Sequence, residues 1–193
     1  QGQRDIALNA QGELQAVALG RTLAAENLDA IFASDLRRTM QTAEVIAAPH
    51  GLPVQPDAGL RERRFGAFEG LTHADIRARF PAGHAAWRAR HADARFPSAE
   101  LPAETLREFF TRAVGAITRL AANAGPGKIA IVTHGGVLDC MYRAATGTEL
   151  ARPRDFEILN AGINRLIWNG RAFRIAQWGD NAHLRLPALD EIR

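Results

Sequence analysis

Apolar and polar positions along the chain alternate between two periods, which divides it into short strands and amphipathic helices. After Asn9, which reads as an N-cap, Leu14, Val17, Ala18 and Leu23 recur at helical spacing and predict a helix over Gln11 to Glu26. Ala30-Ile31-Phe32-Ala33 reads as a strand, and Ser34-Asp35 as the cap of a helix from Leu36 to Ala48 that Pro49 and Gly51 end. A loop or short strand spans Leu52 to Leu60. Thr72 to about Asp93 is helical in pattern, interrupted by Pro81-Ala82-Gly83, and Phe96 to Pro102 is a proline-marked loop. Leu106, Phe109, Phe110, Val114, Ile117 and Leu120 line one face of a long helix from Glu104 to Ala122. The buried-strand run Ile129-Ala130-Ile131-Val132 then leads through Thr133-His134-Gly135-Gly136 into a helix reaching Ala145. A hairpin from Ile163–Trp168 to Phe173–Trp178 closes the chain, with Asn169-Gly170 as its turn.

Strands alternating with helices predict a three-layer α/β/α sandwich around a mostly parallel central sheet. The 193 residues suit one domain, with residues 72–102 as an insertion or cap over the sheet. In such sheets ligands gather outside the carboxyl ends of the strands, where helix N-termini offer free N–H groups. His134 and Gly135 stand at such an end, and two glycines behind the histidine favour catalysis or phosphate contact over a merely buried imidazole.

Composition narrows the function. A hydrophobic content of 47% is that of a soluble globular protein. The formal charge is only +3, so a sequence pI near 9.9 overstates how basic the chain is. Lys128 is the sole lysine. No dense basic run alternates with aromatics, which argues against nucleic acid as a partner. A single cysteine, Cys140, excludes an internal disulfide and fits a reducing, cytoplasmic setting. No apolar stretch is long enough to cross a membrane, and Gln1-Gly2-Gln3-Arg4-Asp5 has no signal-peptide pattern. His84 and His91 lack a third ligand at helical spacing, so neither they nor His50 suggest a metal site.

Three loci carry the chemistry: Ser34-Asp35-Leu36-Arg37-Arg38-Thr39, Leu60-Arg61-Glu62-Arg63-Arg64-Phe65-Gly66, and Val132-Thr133-His134-Gly135-Gly136. Their order and spacing resemble the histidine phosphatase superfamily, in its phosphoglycerate mutase-like branch. The likeness runs from Gly2–Gly12 to Asn160–Asn164 and Trp178–Leu184. It implies a covalent phosphohistidine mechanism without metal or other cofactor. By position, Arg38 and not Arg37 grips the phosphoryl group, Glu62 protonates the leaving oxygen, and His134 hydrogen-bonds the phosphoryl oxygens. Gln1 and Gly2 match a backbone-contact loop near the substrate. Such a transfer spreads negative charge over equatorial oxygens, which fixed cationic donors stabilise.

The attacking histidine of the family sits in an Arg-His-Gly motif that these 193 residues do not contain. The resemblance places it on the order of a dozen residues before Gln1, on a strand of ordinary length. A chain starting at Gln1 is expected to be inactive and poorly stable. Phe65 stands where mutases have a tyrosine, His73 stands near their lysine, and Trp87-Arg88-Ala89-Arg90 replaces an adjacent arginine pair. Hydrolysis of a small phosphorylated metabolite is therefore expected ahead of mutase-type phosphoryl transfer or of an inactive phosphoester- or protein-binding member. Arg88, Arg90 and Arg95 are expected to form a solvated face, His183 to be structural, and the hairpin edge to offer a surface for homodimer pairing.

Overall fold

The computed structural model describes residues 1–185, so the last eight positions of the expected single domain lie outside the described residues. Three parallel strands, β1 (Ala30–Ala33), β2 (Val54–Pro56) and β3 (Ile129–Val132), form a sheet in the order β2-β1-β3. Side chains alternate across it, as the pleat requires. Phe32, Ile129 and Ile131 meet a core supplied by α5 (Leu106–Asn123) and α6 (Gly135–Thr146). Ile31, Ala33, Ala130 and Val132 meet a second core supplied by α1 (Ala10–Leu23) and α2 (Arg37–Ala47). Helices thus cover both faces, giving the expected three layers.

Local signals explain most element boundaries. Asn9 caps α1 by accepting from Gly12 N at 2.9 Å. Thr105 and Glu108 form a reciprocal capping box that starts α5, and Leu106, Phe109, Ala113, Ala116, Ile117 and Leu120 are its buried stripe. Each large apolar side chain buried there contributes about 1.5–3 kcal/mol relative to exposure. Phe110 and Val114, expected on that face, lie at its half-buried margin.

Four expectations are corrected. Ser34 and Asp35 do not cap α2; its N-cap is Leu36, without a side-chain cap bond. Ser34, which is buried, bonds instead to His134, and the half-buried Asp35 takes the charged fork of Arg61. The 72–102 segment breaks at Phe80, not at Pro81–Gly83, because Pro81 opens α4 (Pro81–Arg88) after α3 (His73–Arg79). The hairpin of β4 (Ile163–Trp168) and β5 (Phe173–Asp180) turns on Gly170-Arg171, since Asn169 pairs with Ala172. Only Gly170 has positive φ there (89°), so the turn has the dihedral sign of type II′. Finally, Arg88, Arg90 and Arg95 do not form one solvated face: Arg90 reaches the buried carboxylate of Asp139 at 2.7 Å, and Arg95 pairs with Glu108.

The outer edge of β3 takes no strand among the described residues, and all four of its residues are half-buried. α1 and α2 approach closely at Gly20, where an added Cβ would lie 2.9 Å from both the carbonyl oxygen and Cγ1 of Val45. Gly20→Ala would gain about 1 kcal/mol of helix propensity, but overpacking against backbone costs about 1–3 kcal/mol. Thermal unfolding followed by circular dichroism is expected to show a lower Tm for Gly20→Ala; a raised Tm would mean that the helices separate freely.

Candidate active site

The parallel register sets Ala33 opposite Val132, so β1 and β3 end side by side. Ser34 N continues the ladder to Val132 O at 2.9 Å. Immediately beyond, His134 Nε2 lies 2.8 Å from Ser34 Oγ. Arg38, in the first turn of α2, places Nη2 3.1 Å from His134 Nδ1. A guanidinium only donates, so Nδ1 accepts and the proton of the neutral ring sits on Nε2, directed at Ser34. Burial, then the charges of Arg38 and Arg112, push the imidazole down to about 3.

Glu62 enters from the loop after β2. Its Oε1 accepts from Arg63 N at 2.7 Å and its Oε2 from Gly136 N at 2.9 Å, in the first turn of α6. Burial raises its pKa above the usual carboxylate range, against the opposing pull of those two N–H groups and Arg38. Neither Arg61 nor Arg63 forms an ion pair with it. Arg61 instead grips Asp35 through two bonds of 2.6 Å, tying the acid's loop to the end of β1. Arg63 is buried over the Phe96 ring at 4.6 Å, and desolvation lowers its pKa to about 10. Gly136 is obligatory for this approach, since a Cβ there would stand 2.0 Å from Glu62 Oε1. Gly135 has ordinary room: its nearest neighbour would be Ile158 Cγ2 at 3.6 Å.

The Gln1–Asp5 loop completes the group. Arg38 donates to Arg4 O at 2.9 Å and Gly2 O at 3.0 Å. Gln3 Nε2 donates to Glu62 O at 3.0 Å, and Glu69 Oε1 accepts from both Gln3 N and Phe65 N. Gly2, with φ of +58°, abuts Glu69 so closely that a Cβ would lie 2.3 Å from Oε1. Gln1 is exposed and engages the loop only through its carbonyl, which accepts from Arg4 N. Arg38, Glu62, His134, Gly2 and Gly135 therefore come together, whereas the Gln1 side chain makes no bond to them. His73 lies apart, stacked on Trp87 at 4.7 Å. His183, expected to be structural, places Nε2 2.9 Å from Ala161 O. Ser34, Gln3, Glu69 and Arg112 were not singled out from sequence for this site. Ser34 alone carried a signal: a polar residue ending the strand beside the His134 strand.

Fold and site together define an α/β protein that gathers an arginine, a histidine and a carboxylic acid at the carboxyl ends of parallel strands. The sequence profile of the histidine phosphatase superfamily (branch 1) matches residues 1–181, and the chain belongs to that family. It is 34% identical over 190 residues to phosphoglycerate mutase-like protein 4 of Arabidopsis thaliana, covering 95% of this chain and 79% of the relative. It is 33% identical to the probable phosphoglycerate mutase GpmB of Klebsiella pneumoniae, covering 100% of this chain and 90% of that one. Among solved structures, YhfR of Bacillus stearothermophilus superposes with a TM-score of 0.86 at 30% identity, covering 96% of this chain and 90% of that chain. A mycobacterial glucosyl-3-phosphoglycerate phosphatase superposes at 0.78 and 29% identity, covering 93% and 90%.

Because the His134 value is lower folded than unfolded, the unfolded chain binds that proton first. Its contribution to stability is whole above pH about 6.5 and is lost as the pH falls from there toward about 3. Ring nitrogen-15 NMR of the protein without added anion is expected to show His134 neutral, with the proton on Nε2, throughout pH 5–8. A ring titrating near pH 6.5 would contradict the buried Arg38–His134 contact.

Proposed function

We propose that this protein is a phosphomonoesterase that hydrolyses a small phosphorylated metabolite through a phosphohistidine, without a metal. The observation that carries the reading is the convergence of Arg38 and His134 at 3.1 Å beside an acid bonded to the same helix turn that follows His134. Family membership supports the reading, as does the phosphatase named among the structural neighbours.

In this reading Arg38 and His134 hold the phosphoryl oxygens, and a histidine supplied from outside residues 1–193 attacks phosphorus. A strand carrying that histidine would lie along the outer edge of β3, which pairs with no strand among the described residues. As the P–O ester bond breaks, the Glu62 carboxyl gives its proton to the leaving oxygen. Water then attacks the phosphohistidine, Glu62 takes a proton from that water, and orthophosphate leaves. A carboxyl kept above its usual range by burial suits the first step, since it stays protonated nearer neutrality. Arg38 supplies the cationic charge stabilisation that a metal would otherwise give, and His134 donates to phosphate by exchanging its bonds to Ser34 and Arg38 for a phosphoryl oxygen. Gly2 and Gly135 present backbone to the substrate, and Gln1 borders it.

Hydrolysis is favoured over mutase transfer because Phe65 packs among Trp87 and Phe96, 5.6 and 6.3 Å away between ring centroids. Phe65 itself offers no hydroxyl to a substrate carboxylate, and the Arg63 guanidinium over these rings is turned to the carbonyls of Glu104 and Ala94. The mutase reading is favoured by the names of the curated relatives. Orthophosphate release from a panel of alkyl and sugar phosphates by the full natural chain, with chelator present, tests the choice. Arg38→Ala and His134→Ala are each expected to lower kcat/KM by about 100-fold or more. Gly136→Ala, which displaces Glu62, is expected to lower kcat on alkyl esters by about 10–100-fold. Failure of a folded full chain on every ester, or an active Arg38→Ala, would remove the proposal; transfer between phosphoglycerates at rates above hydrolysis would favour the mutase.

A further inference from the structure

Arg112 lies on α5, outside the group just described, yet every N–H of its guanidinium is spent on the acid's loop and its anchor. Nη1 donates to Gly59 O and Arg61 O, both at 3.0 Å, and Nη2 donates to Glu62 O at 3.1 Å. Nε and Nη2 grip the two oxygens of Glu104 at 2.7 and 2.8 Å. Glu104 in turn holds the far side of the loop. Its Oε2 accepts from Arg64 N at 2.9 Å, its carbonyl accepts from Arg63 Nε at 3.0 Å, and its N–H donates to Arg64 O at 2.8 Å.

We propose that Arg112, held by Glu104, is a positioning residue that fixes the height and direction of the Glu62 carboxyl in the site. Residues 59, 61 and 62 hang from Arg112, and residues 63 and 64 from Glu104, so Glu62 is bracketed by one half-buried ion pair. Its carboxyl is then set by two further N–H groups, one of them that of the bracketed Arg63. Arginine is required by count and by shape: five donors in a plane reach three carbonyls and a carboxylate together, whereas lysine offers three donors from one point. Nothing in this arrangement touches the phosphoryl group, so substrate binding should be spared and proton delivery should not. A misplacement of about 1 Å in a reacting group can cost on the order of 100-fold.

The proposal rests on Glu62 as the acid, and the leaving group separates the two ideas. Glycerol 2-phosphate expels an alkoxide that needs a proton, whereas p-nitrophenyl phosphate expels a stable phenolate. In the full natural chain, Arg112→Lys is expected to lower kcat/KM, which excludes the later hydrolysis of the phosphohistidine, on glycerol 2-phosphate by about 10–100-fold. On p-nitrophenyl phosphate the loss in kcat/KM should be less than about 3-fold, with the inhibition constant of orthophosphate within about 2-fold of wild type. Glu62→Gln should give the same split, and Glu104→Gln a weaker version, which decides the matter if Arg112→Lys does not fold. Equal losses of kcat/KM on both esters, a weakened inhibition by orthophosphate, or no change in a folded variant would overturn the positioning role. Should the wild type hydrolyse neither ester, the esterase reading falls by itself. The Glu62 carboxyl titration by carbon-13 NMR then judges the clamp. Its midpoint should move down toward the ordinary glutamate range in Arg112→Lys, and an unmoved midpoint would overturn the proposal.

Discussion

The parallel pairing of β1 with β3 is the constraint on which the site depends. Two strands ending at the same height, Ala33 beside Val132, deliver two polar residues and two helix starts to one place. Ser34 and His134 meet because their strands stop together, and Arg38 reaches His134 because α2 begins three residues after Ser34. The acid's loop is then fastened to this platform from several sides. Thr133 Oγ1 donates to Leu60 O at 2.8 Å, Asp35 holds Arg61, and Gly136 N holds Glu62 itself. A slip of one residue in the β1–β3 ladder would turn every side chain of the slipped strand to the opposite layer.

Much of this was legible in the chain, for identifiable reasons. The four residues of β1 and the four of β3 are short apolar runs with few other uses, and α5 announces itself by period and by its Thr105–Glu108 cap. Arg38, Glu62 and His134 were findable because their motifs stand in a fixed order. What stayed hidden depends on contacts across long separations. Ser34 looks like a helix cap, because Ser-Asp before an apolar helix is what a cap looks like, and only the neighbouring strand gives its hydroxyl a buried imidazole. Arg112 looks like any arginine on the polar side of a helix, and its value lies in carbonyls some fifty residues earlier. Glu69 and Gln3 likewise mean nothing until Gly2 is folded against them.

The 72–102 region shares a small core with the loop before it. Ile76 and Phe96 are buried against Phe68 of that loop, with Phe65, Phe80 and Trp87 packed around them. Phe68 and Phe96 stack at 4.4 Å. Arg63 brings the acid's loop into that core, its guanidinium over Phe96 and its Nε on Glu104 O. A buried cation over an aromatic face keeps its charge at less cost than one surrounded by aliphatic groups. The acid is thus attached on one side to the sheet and on the other to an aromatic cluster.

Asp139 joins that region to the rest of the molecule. Its single buried carboxylate receives Arg143 from its own helix, Arg154 from the segment beyond it and Arg90 from the end of α4. Arg90 also donates to Leu150 O and adopts a positive φ of 51°, uncommon for a residue with a side chain. The helix that opens with Gly135 and Gly136 is therefore tethered, about one turn from its start, to the aromatic segment. α4 cannot part from the helix behind His134 without breaking the Arg90–Asp139 pair, a cost that would leave a buried carboxylate with one cation fewer.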